Sequence, residues 1–67
     1  MKLFPNPVKD QLYAEECVSR LEILNLQGVL LLSSVGNTIT MAGLPQGMYM
    51  VRVSKNGNTY TSKVLKD

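Results

Sequence analysis

A chain of 67 residues supports one small core and no second domain, because a unit this short leaves a large share of its surface in water even when folded. It is 45% hydrophobic and 18% charged, enough apolar material to fold, and its net charge of +2 comes from basic residues scattered from Lys2 to Lys66. That scatter, with Phe4, Tyr13, Tyr49 and Tyr60 far apart, lacks the basic stripe and aromatic platforms of a nucleic-acid reader.

Histidine is absent and Cys17 is the sole cysteine, so an internal disulfide, a Cys/His zinc cluster and an imidazole-activated nucleophile are all excluded. Cys17 reads as a small hydrophobe or a free thiol. The acids Asp10, Glu15, Glu16, Glu22 and Asp67 show neither calcium-loop spacing nor a convergent pair, and the glycines follow no phosphate-binding pattern. No catalytic, cofactor-binding or metal-binding residue is expected. No run approaches a membrane span, and Met1 to Phe4 meets Pro5 and Pro7 too soon for a signal-peptide apolar region, so any export leader is expected upstream.

In chain order the periodicity is that of strands. Pro5 and Pro7 enforce an extended or turn approach to a short strand, Gln11 to Ala14, expected at a sheet edge. Arg20 to Ile23 alternates, placing Leu21 and Ile23 inside and Glu22 in water. Asn25 to Gly28 breaks the pattern, with Gly28 suited to a positive φ, and Val29 to Ser34 reads as the returning arm. A helix over Val18 to Leu32 is disfavoured by β-branched Val18, Ile23 and Val29 and by Gly28.

Ser33 to Asn37 has turn chemistry, and Thr38 to Met41 resumes as a strand. Ala42 to Gly47 is a loop in which Pro45 fixes φ and Gly43 and Gly47 permit conformations closed to other residues. Met48 to Lys55 carries Tyr49, Val51 and Val53 on one face. Asn56-Gly57 signals a type I′ hairpin, so Thr59 to Lys66 pairs antiparallel to that strand, with Tyr60, Ser62, Val64 and Lys66 sharing a face. Met41, Met48 and Met50 read as core filling or a partly covered face rather than a binding groove. Tyr49, opening a late strand, suits a tyrosine corner that locks the Leu44 to Gly47 loop. About six or seven short strands without a helix define an all-β fold, a small immunoglobulin-like antiparallel sandwich occupying residues 1–67 as a single domain.

Four motifs occur in one order: Phe4-Pro5-Asn6-Pro7-Val8, Ile23-Leu24-Asn25-Leu26-Gln27-Gly28, Gly43-Leu44-Pro45-Gln46-Gly47-Met48-Tyr49 and Lys63-Val64-Leu65-Lys66. Together they resemble the type A C-terminal sorting domain of the type IX secretion system of Bacteroidota, across Phe4 to Lys66. The resemblance implies a domain behind an N-terminal passenger, carried through the periplasm, recognised by outer-membrane machinery and removed by a sortase-like cysteine peptidase, with cargo reaching the cell surface or medium. It singles out Pro5, Pro7, Gly47, Tyr49, Lys63, Val64 and Lys66 as sorting and recognition residues. Asp67 departs from relatives, whose terminus is basic or apolar. A terminal hairpin would also leave an exposed edge, open to strand addition by a receptor that reads Lys63 and Lys66 by charge, or to pairing with a second copy. The rival reading is a fibronectin-like structural or carbohydrate-binding module using Tyr13 or Tyr60.

Overall fold

The computed structural model describes residues 2–67 as two antiparallel sheets without a helix. Their strands are β1 (Leu3–Phe4), β2 (Gln11–Ala14), β3 (Arg20–Leu24), β4 (Leu30–Val35), β5 (Thr38–Thr40), β6 (Gly47–Lys55) and β7 (Asn58–Lys66). One sheet has the order β1-β2-β5 and the other β4-β3-β6-β7. The first, second and fifth strands thus oppose the third, sixth and seventh, an immunoglobulin-like arrangement with the fourth strand beside the third.

The period-2 pattern decides which side chains face the interior. Leu21 and Ile23 from β3, Val51 and Val53 from β6, Leu12 from β2 and Ile39 from β5 meet Val8, Met41 and Val64 in one cluster. Burying each large aliphatic side chain contributes about 1.5–3 kcal/mol relative to leaving it in water. Met41 is part of this core, whereas Met48 and Met50 lie on the solvent side of β6, opposite Leu65 and Lys63. Glu22 is more enclosed than its place on the outer face suggests: it is bonded to Arg52 at 2.7 Å and is only 14% exposed.

Two turns follow their residue chemistry closely. Asn56 and Gly57 have φ values of 52° and 80°, the paired positive angles of a type I′ turn, and the β6–β7 register runs unbroken from Lys55↔Asn58 to Gly47↔Lys66. At the β3–β4 turn the Asn25 side-chain oxygen accepts from the amides of Gln27 and Val29, which fixes the chain reversal.

Three expectations require correction. β2 is the centre of its sheet rather than an edge, because Leu3 and Phe4 form an additional strand too short to show periodicity. β4 runs to Val35, one residue past the expected strand, since Val35 pairs with Arg20 and the reversal falls at Gly36. Gly47 takes a positive φ of 151° but Gly43 does not, so the loop's conformational demand falls on its last residue alone.

A clamped terminal strand as candidate functional site

Strand β7 is the outermost strand of the larger sheet, and its two halves have different surroundings. Val64 and Lys66 are buried, whereas Asn58 to Lys63 are exposed on both faces. The buried half is held by the segment following β1. Val8 donates its amide to the Leu65 carbonyl at 2.8 Å, and the Asp67 amide donates to the Val8 carbonyl at 2.8 Å. Between them the Leu65 amide donates to Asn6 Oδ1 at 3.0 Å, so an asparagine side chain supplies the acceptor at that rung. The Phe4–Pro5 and Asn6–Pro7 peptides in this strap are cis.

These bonds also fix the phase of the edge. Leu65 and Asp67 turn their backbone groups away from β6, and antiparallel ladders alternate. With no bulge in the register, Thr59, Thr61 and Lys63 turn theirs outward too. Those three have no hydrogen-bond partner among the described residues. Beside them Tyr60 and Ser62 face inward, and with Leu3, Val53 and Thr61 they line a cavity of about 200 Å³.

The motif residues largely converge at one end. Gly47 lies opposite Lys66, and Tyr49 lies opposite Val64, so the Gly-x-Tyr and Val-x-Lys pairs are rungs of one ladder. Val8 bridges Lys66 from the other side, which brings the strap holding Pro5 and Pro7 to the same place. The Tyr49 hydroxyl donates to the Pro45 carbonyl at 2.7 Å, forming the tyrosine corner that the sequence suggests. Lys63 stands apart, opposite Met50 on the outer face.

Lys66 is not displayed as a surface cation. Alternation turns it inward with Val64, it is 7% exposed, and its Nζ donates to the Asp67 carbonyl at 2.9 Å. Sequence reasoning missed Asn6, Val8, Thr59 and Thr61. A polar acceptor set between two prolines was a usable signal for Asn6; the others depend on a pairing that no local pattern encodes.

Among the described residues two ion pairs occur, Arg52 with Glu22 and Lys55 with Glu16. Hydrogen bonding to Arg52 holds the Glu22 carboxyl below its ordinary value, and bonding to Lys55 does the same for Glu16, with Lys55 and Arg52 raised in return. Cys17 is an exposed free thiol. Among the described residues no group of Asp, Glu or Cys side chains is arranged to hold a metal ion.

An all-β sandwich whose distinctive residues gather at a clamped terminal strand is the frame in which the comparisons fall. The model of the family described as secretion system C-terminal sorting domain matches residues 2–67. The chain belongs to that family, and it is a C-terminal sorting signal for type IX secretion. It is similar to karilysin of Tannerella forsythia, 39% identical over 83 aligned positions that cover 96% of this chain and 18% of that protein. The chain therefore spans less than a fifth of that relative's length. No solved structure matches it.

Proposed function

We propose that the free half of β7 is the part of the sorting signal that the outer-membrane machinery engages, by adding a strand of its own at Thr59, Thr61 and Lys63 while Lys63 supplies a cationic contact. The observation that supports this is the division of β7: its end is already paired by Asn6 and Val8, and among the described residues nothing pairs the outward amides and carbonyls of the stretch from Thr59 to Lys63. Main-chain bonding along an edge supplies affinity with little demand on sequence, which suits a label carried by unrelated passengers. On this reading Pro5, Pro7, Gly47, Tyr49, Val64 and Lys66 act by holding the label's shape. Lys63 is the residue of that set that a receptor touches.

The domain stands behind an N-terminal passenger, passes the periplasm with it, and is removed by a sortase-like cysteine peptidase at the outer membrane. Cleavage falls before β1, because Leu3 and Phe4 are already paired with Ala14 and Tyr13 in the sandwich. The passenger then reaches the surface or the medium. The same edge also admits a second copy of the chain.

The test is delivery of a reporter passenger fused to this chain in a cell with a working type IX system. Thr61→Pro removes one outward amide at an edge position where proline is tolerated, and Lys63→Glu reverses the charge. At least a tenfold loss of surface reporter is expected for the pair of changes together, with the purified variant still folded by circular dichroism. Undiminished delivery of that folded double variant would sink the proposal.

A further inference from the structure

The outer face of the larger sheet is apolar at one end and cationic behind it. Across β4, β3, β6 and β7 the register aligns Leu30, Leu24, Met50 and Lys63 in one row, with Met48 and Leu65 in the next. Leu24 turns away from the core cluster yet is only 8% exposed, so its neighbours on this outer face cover it. Those neighbours are themselves in water: Leu30, Met48 and Leu65 are 48%, 44% and 40% exposed. The β3–β4 turn prolongs the zone at the same end of the sheet with exposed Leu26 and Val29. A second apolar cluster that stays half in water marks a surface made to be covered.

We propose that this face lies on an anionic lipid surface, its apolar end entering the headgroup boundary and its cations meeting the headgroup charge. Two observations select lipid over a protein partner. The first is charge. Within the four strands this face carries Arg20, Arg52 and Lys63 against the single acid Glu22, which is already bonded to Arg52, while Asp67 lies past the end of β7. From Ile23 to Val51 no residue is charged, so nothing at the entering end has an ionic hydration shell to shed. The second is the backbone. Hydrocarbon offers no partner to an orphan amide, and the amides of Asn25, Gln27, Gly28 and Val29 all find acceptors within the turn itself. A protein partner, which brings hydrogen-bonding groups of its own, demands no such self-sufficiency.

Lipid contact and edge docking are compatible in space. The unpaired groups of β7 point along the plane of the sheet and not from its face, so a chain lying on lipid keeps that edge open. Lys63 can extend its stem past Met50 and hold its ammonium at the headgroups. Adsorption then confines the label to the plane of the membrane, where its search for the outer-membrane machinery is two-dimensional. The inference does not depend on the docking proposal.

Co-sedimentation of the 67-residue chain with vesicles of phosphatidylcholine and phosphatidylglycerol, three to one, tests it. At about 1 mM lipid, enough to hold a protein anchored by one acyl chain of partition constant about 10⁴ M⁻¹, wild type should pellet with these vesicles and bind pure phosphatidylcholine several-fold less. Met48→Glu and Leu26→Glu should each weaken binding roughly fivefold with circular dichroism unchanged. Gln11→Glu makes the same charge change on the outer face of the smaller sheet and should have less than a twofold effect. The chain has no tryptophan, so Met48→Trp supplies a single reporter whose emission should move to the blue on binding and be quenched by brominated lipid. A wild type left in the supernatant overturns the inference and assigns the face to a protein. Equal losses from Gln11→Glu and Met48→Glu overturn it as well, because net charge alone would then account for the attraction. So does a Met48→Trp emission that lipid leaves unmoved. The vesicles hold no secretion machinery, so this result and passenger delivery can each fail while the other stands.

Discussion

Val8 and Lys66 are joined by a parallel bridge, so the strap that follows the first strand and the end of the last strand form one ladder. Val8 is fully buried and bonds Leu65 and Asp67 through its own backbone. The end of the sorting domain is thereby made part of the core instead of a free tail. Val8→Ala should cost about 2 kcal/mol through the cavity left behind, seen as a lower urea midpoint with little change in slope.

Asn6 makes a sharper case, because it contributes through one acceptor atom at an exposed position. Replacing it with alanine leaves the Leu65 amide to water, and a net loss of about 0.5–1.5 kcal/mol is expected. Amide hydrogen exchange locates the effect. Protection should fall at Leu65 and Asp67 while Val51 and Val53 in β6 keep theirs, and a uniform loss across both strands would contradict a local clamp.

Tyr49→Phe removes the hydroxyl that bonds the Pro45 carbonyl and leaves the ring in the core. The expected loss is about 1–2 kcal/mol, a fall in Tm of roughly 4–15 °C for a domain of this size. Glycine at the β6–β7 hairpin is tested in the same way. Gly57 has a φ of 80° with no atom near a built Cβ, so Gly57→Ala should destabilise by about 1 kcal/mol through backbone strain alone.

The hairpin and the corner were legible because each is local: Asn56-Gly57 names its turn, and Gly47-Met48-Tyr49 places an aromatic hydroxyl four residues from the carbonyl it reaches. The core was legible for the same reason, since alternation in Leu21, Ile23, Val51 and Val53 declares a face without naming a partner. What stayed hidden was every long-range pairing. Leu3 and Phe4 are strand only because Tyr13 and Ala14 lie opposite, and Asn6 is a cap only because Leu65 arrives beside it. Lys66 shows the limit most clearly. Its face was predictable by counting, but a lysine at a chain end reads as solvent-exposed until Val8 is known to cover it.

Stability should weaken in acid through Glu22 and Glu16. Bonding to Arg52 and Lys55 lowers both carboxyls in the folded chain below the ordinary value of 4.5 that they regain on unfolding. A carboxyl depressed in the folded state contributes stability that is fully present above its unfolded value and lost as pH falls through the folded one. The midpoint of urea unfolding should therefore hold steady near neutrality and decline below about pH 4.5. Glu22→Gln should flatten that decline more than Glu16→Gln, because Glu22 is 14% exposed against 49% for Glu16 and its pair is less screened by water. Repeating the titration in 1 M salt separates the two pairs: the Glu16 share should largely vanish and the Glu22 share persist. Equal loss of both would show that Arg52 and Glu22 interact as an ordinary solvated pair.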